Sequence, residues 1–147
     1  MFNSILCQAN RDLIQIANII GEESEEIEAW LKKTLNAINV QCWNEENNIY
    51  YDYDVFNKKY LKTETASCFL PLFANIPSKN RAEKLYQHLN SSCFCKIEEE
   101  CFALPNYDRC REDFSATNYW RGPVWININW MIRQGMLRYN FKYMAKK

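Results

Sequence analysis

Apolar side chains recur every three or four positions over much of the chain, which predicts helices. The first stripe runs from Ser4 to Ile20 and ends at Gly21, because glycine readily takes the left-handed conformation at a helix C-terminus. A second stripe follows Ser24, a residue type that caps helices, with acidic residues in the favourable first turn. The stripes consist of Ile5, Leu6, Ala9, Leu13, Ile16, Ala17 and Ile20 in the first predicted helix, and of Ile27, Trp30, Leu31, Thr34, Leu35 and Ile38 in the second.

The period changes between Cys42 and Phe56, where aromatic residues flank an asparagine-rich centre. This pattern predicts a short β-hairpin or an ordered loop between helices. Asp52 and Asp54 would share one face of a strand, which suits a calcium site or acid–base chemistry. The alternative is a turn in which the Asp side chains bind nearby backbone groups.

Three further helices are predicted downstream. One runs from Thr63 to Ala74 and should be kinked or shortened by Pro71. Another follows the Pro77-Ser78 cap and ends near Leu89, and the last runs from Val124 to Tyr143 with Gly135 as a point of close packing. The pattern therefore predicts an all-α chain of about five helices with one short β-hairpin between helices. Residues 90–117 form a long connection of weak periodicity, and such connections are usually functional.

Composition excludes several classes of protein. The 147 residues suffice for one domain with a core, and 48% apolar with 15% aromatic residues argue against disorder. The 18 basic and 18 acidic residues cancel, so no basic surface indicates nucleic acid. No apolar run of about 18 residues or secretion signal is visible, so we expect a cytoplasmic protein that does not enter a membrane.

Cysteine and histidine usage argues against a metal or other cofactor. The chain has seven cysteines but no C-x-x-C pair, and its one histidine is His88, so a zinc site is not expected. We expect free thiols in a reducing compartment; the alternative is a disulfide that staples a loop within the Cys93–Cys110 group. His88 lacks a carboxylate at close sequence spacing, which predicts a surface position or pairing with a helix dipole.

The residues Tyr119 to Trp130 are the most chemically distinctive part of the chain. Gly122 and Pro123 break the backbone before the last predicted helix and leave Tyr119, Trp120 and Arg121 on a loop at its N-terminus. Flat aromatic faces beside a guanidinium and carboxamides suit a polyhydroxylated ligand, because sugar C–H faces stack on aromatic rings. The competing interpretation is that these aromatic residues are core anchors that hold the loop against the helix.

The sequence YWRGPVWININW resembles a signature of the (α/α)6-barrel glycoside hydrolases of family 63 and the related mannosylglycerate and glucosylglycerate hydrolases. A weaker likeness extends upstream to residues 51–54, 69–74 and 104–105. The resemblance implies that one set of residues contacts substrate and a second set supports the loop. The predicted contacts are Tyr119, Trp120, Trp125 and Arg121, the last orienting the loop or reaching an acidic aglycone; the predicted supports are Gly122, Pro123, Asn127 and Asn129.

The resemblance also implies which catalytic parts are missing. Inverting hydrolysis needs an acid and a base on opposite sides of the glycosidic bond. The family's general acid lies in a Ser-Gly-x-Asp-Asn-Ser type motif, which is absent here, and its base is a glutamate far downstream, whereas no acidic residue follows Asp113. About five helices also cannot close a barrel, so the apolar stripes need partners from elsewhere.

The sequence therefore predicts that residues 1–147 are a single partial catalytic domain, inactive alone. Its expected partners are a small sugar or oligosaccharide and the rest of a split hydrolase. The alternatives are a non-catalytic helical module for carbohydrate binding or protein interaction, and a remnant of a decaying gene.

Overall fold

A computed structural model describes residues 1–95 and 103–141. These residues are mostly helical, as predicted, with two small antiparallel sheets. The α-helices are α1 (Phe2–Ile20), α2 (Glu25–Ala37), α3 (Leu70–Phe73), α4 (Lys79–Leu89) and α5 (Ile126–Arg138), and the strands are β1 (Trp43–Asn44), β2 (Ile49–Tyr50), β3 (Asp52–Asp54) and β4 (Lys59–Leu61). A π-helical turn, Ile38–Cys42, follows α2, and a 3-10 turn, Ala66–Phe69, precedes α3.

The predicted boundaries of the first two helices are close to those observed. Gly21 ends α1 with φ of 77°, in the left-handed region. Ser24 precedes α2, but its hydroxyl donates to the Glu28 carboxylate at 2.8 Å and accepts no backbone N–H. Ser78 does cap α4, because its Oγ accepts the Arg81 N–H at 3.4 Å.

Helix α1 turns its large apolar residues away from the chain's own core. Its buried residues are small or polar: Ser4, Cys7, Asn10 and Ala17. Its exposed large hydrophobic residues are Phe2, Leu6, Leu13, Ile16, Ile19 and Ile20. Helix α2 has no buried residue, so the two predicted stripes do not form the centre of the core.

The predicted short hairpin is present as β1 and β2, and a second hairpin that was not predicted follows it as β3 and β4. Trp43 pairs with Tyr50 across β1 and β2, whereas Tyr53 pairs with Tyr60 across β3 and β4. Asp54 is the last residue of β3, at the start of the turn, and accepts hydrogen bonds from the next residues, including the Phe56 N–H at 3.0 Å. This geometry confirms the turn interpretation for Asp54, since its carboxylate oxygens are engaged by local donors.

The predictions for the third and last helices were too long. Pro71 lies in the first turn of α3, where its missing N–H costs no hydrogen bond, and the helix spans only four residues. Helix α5 ends at Arg138, before Asn140 takes a φ of 65°; residues 142 and 143 of the prediction lie outside the described residues.

The buried core is centred on α3 and the turn before it. Helix α3 packs between α5 and α1. Gly135 of α5 is the close contact predicted from the sequence, since an added Cβ would lie 2.6 Å from the Leu72 carbonyl carbon and the Phe73 nitrogen. Behind α3, the rings of Phe69 and Phe94 meet edge-on at 5.0 Å. The close contact at Gly135 holds α5, the helix that follows the aromatic loop, against α3.

Two expectations about cysteine and histidine need correction. Cys93 and Cys110 form a disulfide, so the expectation of free thiols is wrong for this pair and the stapled-loop alternative is confirmed. Burial raises the pKa of the Cys68 thiol to about 12, because the thiolate would lose its hydration. His88 has a carboxylate partner after all: its Nε2 lies 2.7 Å from Oε2 of Glu64, 24 residues away in sequence.

Candidate functional site

Three aromatic rings form a compact cluster before α5, which we call the aromatic wall: Tyr119, Trp120 and Trp125. The rings of Trp120 and Trp125 stack with centroids 4.7 Å apart and planes 21° from parallel. Tyr119 meets both edge-on, at 5.1 Å and 4.9 Å. Tyr119 is 62% exposed and Trp120 is 44% exposed, so both rings are open to solvent. The core-anchor interpretation therefore fails for these two residues.

Backbone hydrogen bonds fold the loop that carries this wall. The Arg121 N–H donates to the Asn118 carbonyl at 2.6 Å, and the Ser115 N–H donates to the Arg121 carbonyl at 2.8 Å. Gly122 lies against the same segment, and a Cβ there would sit 2.2 Å from the Ser115 carbonyl oxygen. Only glycine permits this approach, so Gly122 is required by contact rather than by a left-handed φ.

Two asparagines connect the loop to the rest of the chain. Asn106 is buried; its side chain donates to the Trp120 carbonyl at 2.9 Å, and its backbone N–H donates to the Pro123 carbonyl at 3.2 Å. Asn129 forms a paired contact with the backbone of Leu104: its Oδ1 accepts at 2.7 Å and its Nδ2 donates at 3.0 Å. The wall is thus held by Asn106, which lies within the long connection, and by Asn129, which lies in α5.

The other predicted site residues differ in their burial and in their hydrogen-bond partners. Trp125 occupies the position before α5 in extended conformation, is half-buried, and donates its indole N–H to the Tyr119 carbonyl at 3.2 Å. Arg121 is exposed, and within the described residues its guanidinium has no carboxylate partner. Asn127 is exposed in the first turn of α5, and its side chain has no hydrogen-bond partner among residues 1–95 and 103–141. Asn127 therefore does not brace the loop in the manner of Asn129.

A network of polar side chains lies in the segment that precedes the loop. The Tyr107 hydroxyl donates to Oδ2 of Asp113 at 2.9 Å, and Arg111 reaches Oδ1 of the same carboxylate at 3.0 Å. The Tyr107 hydrogen bond, followed by the nearby Arg111 charge, lowers the pKa of the Asp113 carboxyl. Asp113 is therefore a structural carboxylate that stays ionised, which does not suit a general acid.

A second carboxylate, Glu64, lies on the strand-like segment next to Tyr107. Thr65 forms a β-bridge with Tyr107, and Glu64 accepts the Tyr51 hydroxyl at 2.7 Å besides its contact with His88. The hydrogen bond from His88 is the main cause that lowers the pKa of the Glu64 carboxyl, against the opposing effect of burial. Burial and the Glu64 charge raise the pKa of the Tyr51 hydroxyl.

Cys93, Asp108 and Cys110 come close enough together to hold an ion, but their two sulfurs are joined in a disulfide and offer no thiolate. In the part of the chain that the structure describes, no helix has both the length and the apolar character needed to cross a bilayer.

Comparison with known proteins adds independent findings. A family model described as the mannosylglycerate hydrolase MGH1-like glycoside hydrolase domain matches residues 1–146. The mannosylglycerate hydrolase of Rubrobacter radiotolerans is 37% identical over 147 residues, which are 100% of this chain and 33% of that protein.

Solved structures agree with the sequence match. The family 63 mannosylglycerate hydrolase of Thermus thermophilus in complex with glucose is 36% identical, with a TM-score of 0.89 over 99% of this chain and 36% of that one. Its complex with Tris and D-glycerate gives a TM-score of 0.88 at the same identity, over 99% of this chain and 34% of that one. The chain therefore spans about a third of the length of the relatives it matches.

Sequence reasoning found the aromatic wall but missed part of its support. Asn106 was not among the predicted supports of the loop, yet it is buried and bonded to two residues of the loop. The roles of Glu64 and Ser115 could not be predicted from the nearby sequence. Glu64 pairs with His88, 24 residues away, and Ser115 acts through its backbone rather than its side chain.

Proposed function

We propose that this chain, which belongs to the mannosylglycerate hydrolase MGH1-like glycoside hydrolase family, supplies a sugar-binding wall of an α-glycosidase. The substrate class is mannosylglycerate or glucosylglycerate, with other α-glucosides as the wider class. The chain contributes binding and orientation, while the catalytic acid and base come from polypeptide outside it. Residues 1–147 are, in this proposal, one partial catalytic domain of the (α/α)6 type.

The exposed aromatic wall is the observation that carries the proposal. Trp125 covers one face of Trp120, and 44% of the Trp120 side chain stays open to solvent. Exposing aromatic rings is unfavourable for a free loop, so their exposure in a well-braced loop indicates a ligand surface. The C–H faces of a pyranose would stack on Trp120, and the Tyr119 edge would limit how the ring can turn.

Arg121 extends the wall with a positive charge. Its guanidinium is exposed and carries no carboxylate partner among the described residues. A guanidinium binds a carboxylate through two parallel hydrogen bonds, and this geometry distinguishes a planar acid from a neutral sugar. The proposed role of Arg121 is to bind the carboxylate of a glycerate aglycone, which would favour mannosylglycerate or glucosylglycerate over a neutral α-glucoside.

In the part of the chain that the structure describes, the carboxylates do not form an acid–base pair at the wall. No acidic residue follows Asp113 in the sequence, and Asp113 itself is tied to Tyr107 and Arg111. Glycoside hydrolysis by inversion needs both an acid that holds its proton and a base that activates water. We therefore infer that the chain alone does not turn over substrate and that an inverting mechanism would use carboxylates from the missing part of the fold.

The test compares two exposed tryptophans. Trp120→Ala removes the stacking face, whereas Trp130→Ala removes a ring that is 56% exposed but packs on Phe73, outside the wall. Titration calorimetry with mannosylglycerate should show about 2- to 12-fold weaker binding for Trp120→Ala, since an aromatic contact contributes roughly 0.5–1.5 kcal/mol. Trp130→Ala should bind like the wild type. Equal weakening in both variants would contradict the assignment.

Two further measurements separate the parts of the proposal. Arg121→Gln should weaken binding of mannosylglycerate while leaving binding of methyl α-mannoside unchanged, because only the first carries a carboxylate. Incubation of the unmodified chain with mannosylglycerate should release no glycerate. Clear turnover would show that the chain holds its own catalytic carboxylates.

A second candidate function is a stand-alone carbohydrate-binding module. The observation in its favour is that the braces of the wall, Asn106, Asn129 and Gly122, all belong to this chain. Such a wall could keep its shape without further polypeptide. A monomeric chain that melts cooperatively and binds sugar with full affinity would favour this candidate over a part of a larger enzyme.

A further inference from the structure

The segment that leads into the aromatic wall is not held in place by a hydrophobic core of its own. Residues 108–121 all lie within the described part of the chain, and none of them is buried or belongs to a helix or strand. Such a segment gains little from the burial of apolar surface, so its position depends on hydrogen bonds and covalent links. Tyr119 and Trp120 belong to this segment, and whatever holds the segment therefore also holds part of the wall.

The disulfide between Cys93 and Cys110 links this exposed segment covalently to the core. Cys110 is exposed and lies in the segment, whereas Cys93 is half-buried and lies just after α4. The residue next to Cys93 is Phe94, which is fully buried and packs edge-on against Phe69. One sulfur of the disulfide is thus fixed by the core, and the other fixes the segment.

The connection from Cys110 to the wall is short and tightly folded. The Phe114 N–H donates to the Arg111 carbonyl at 3.1 Å, which closes a turn directly after Cys110. The next residue, Ser115, donates its N–H to the Arg121 carbonyl at 2.8 Å. A shift of Cys110 therefore moves the turn that holds the residue following the stacked tryptophan of the wall.

We propose that the Cys93–Cys110 disulfide positions the aromatic wall, so that reduction of this disulfide weakens sugar binding and reoxidation restores it. The inference rests on the proposed function for the identity of the ligand. Without the disulfide, the segment keeps two hydrogen bonds from Arg109, one from its N–H to the Cys93 carbonyl at 2.9 Å and one from its guanidinium to the Ser92 carbonyl at 3.1 Å. The segment therefore loosens rather than detaches, and a wall that is correctly placed for part of the time binds with a proportionally lower apparent affinity.

The reductant is a dithiol, which reaches the disulfide at Cys110 because this cysteine is exposed. Its thiolate attacks the Cys110 sulfur, the bond between the two protein sulfurs breaks, and Cys93 leaves as a thiolate. The second thiol of the reductant then displaces Cys110 and closes the reductant's own disulfide. Two electrons and two protons pass from the dithiol to the protein, which ends with two thiols.

Titration calorimetry with mannosylglycerate compares the oxidised chain with the chain reduced by dithiothreitol. A chelator is present throughout, because reduction frees two thiols beside the Asp108 carboxylate. The affinity should fall about five- to tenfold on reduction and return after reoxidation with glutathione disulfide. The double variant Cys93→Ser with Cys110→Ser should bind as weakly as the reduced chain, with or without dithiothreitol. Circular dichroism at the temperature of the titration measures whether each sample is folded.

The matched control is Cys95→Ser. Cys95 is also disulfide-bonded and lies two positions from Cys93, but its substitution leaves the link between Cys93 and Cys110 in place. Oxidised Cys95→Ser should bind like the oxidised wild type, and it should lose affinity on reduction to the same extent.

Hydrogen exchange measures the position of the wall without any sugar. After reduction, the amides of Ser115 and Arg121 should exchange faster, because both donate hydrogen bonds within the loop. The amides in the middle of α1 should keep their protection, since this helix has no covalent link to the segment.

Equal affinity of the oxidised and reduced chains overturns the proposal, and so does a response to dithiothreitol in the double serine variant. Weak binding by oxidised Cys95→Ser assigns the effect to the other disulfide and also overturns it. A reduced chain that has lost its circular dichroism spectrum overturns it too, because the disulfide would then hold the whole fold rather than the wall.

An oxidised chain that binds no mannosylglycerate contradicts the proposed function, and hydrogen exchange then decides the role of the disulfide. Faster exchange at Ser115 and Arg121 after reduction supports the positioning role, whereas unchanged exchange overturns it.

Discussion

Replacing Gly122 with alanine tests how tightly the aromatic wall is built. The added Cβ would lie 2.2 Å from the carbonyl oxygen and 2.6 Å from the carbonyl carbon of Ser115. Both atoms belong to the backbone, so no side-chain rotation can relieve the contact, and the two segments must separate. Separation would break the hydrogen bond between the Ser115 N–H and the Arg121 carbonyl, which is 2.8 Å long.

The magnitude follows from these two effects. Forcing a methyl group into a packed site costs about 1–3 kcal/mol, and loss of the backbone hydrogen bond adds about 1 kcal/mol. We expect Gly122→Ala to lower the free energy of unfolding by about 2–4 kcal/mol, which is a large share of the roughly 5–15 kcal/mol typical of a domain. Urea unfolding followed by tryptophan fluorescence measures this difference.

The control is Gly21→Ala, at a glycine where an added Cβ has open space around it. An added Cβ there has no atom within 4 Å, although the φ of 77° makes alanine unfavourable by roughly 1–2 kcal/mol. Gly122→Ala should cost more than this control and should also weaken sugar binding, because the loop that presents Trp120 shifts. A Gly122→Ala cost equal to or below that of Gly21→Ala would refute the steric reasoning.

Two further predictions concern the supports of the loop. Glu64→Gln should lower the free energy of unfolding by about 1–3 kcal/mol at neutral pH, because it weakens the bonds to Tyr51 and His88. Folding lowers the pKa of the Glu64 carboxyl from 4.5, so its stabilisation is present above that value and is lost as pH falls through the lower folded-state pKa. In urea unfolding between neutral and acidic pH, the stabilities of the variant and the wild type should therefore converge. A constant difference between them would contradict the linkage. Cys110→Ser should lower the free energy of unfolding by about 3 kcal/mol, because it removes a disulfide between residues 17 apart in sequence. Thermal unfolding measures this loss. A variant as stable as the wild type, and a wild type equally stable with and without dithiothreitol, would contradict a stabilising disulfide.

The sequence predicts an element well where local residues fix its end, as in α1, and poorly where the segment is buried in the core, as between Thr63 and Ala74. Gly21 ended α1 where expected, because a left-handed helix terminus depends on one residue and its immediate backbone. The segment from Thr63 to Ala74 was predicted as one helix, but Pro71 starts a short helix there and the residues before it form a 3-10 turn. Its apolar composition reflects burial in the core, where periodicity does not distinguish a helix from an extended segment.

In the candidate site too, residues with a distinctive local sequence were predicted, and residues whose partners are distant in sequence were not. Tyr119, Trp120 and Arg121 were found because their residue types and their place before a Gly-Pro break are local features of the sequence. Asn106 was not predicted as a support, since its role depends on carbonyls 14 and 17 positions further along the chain.

The amino-acid order by itself determined the helical class, the aromatic loop before the last helix and the family to which the chain is similar. Those features depend on side-chain type and spacing within a few turns, where the backbone periodicity is fixed. Only the tertiary structure decided that Glu64 pairs with His88, that Cys93 joins Cys110, and that α1 turns its apolar side outward. The reason is that a helical stripe states which side avoids water, whereas the direction of that side depends on which other elements are present to pack against it.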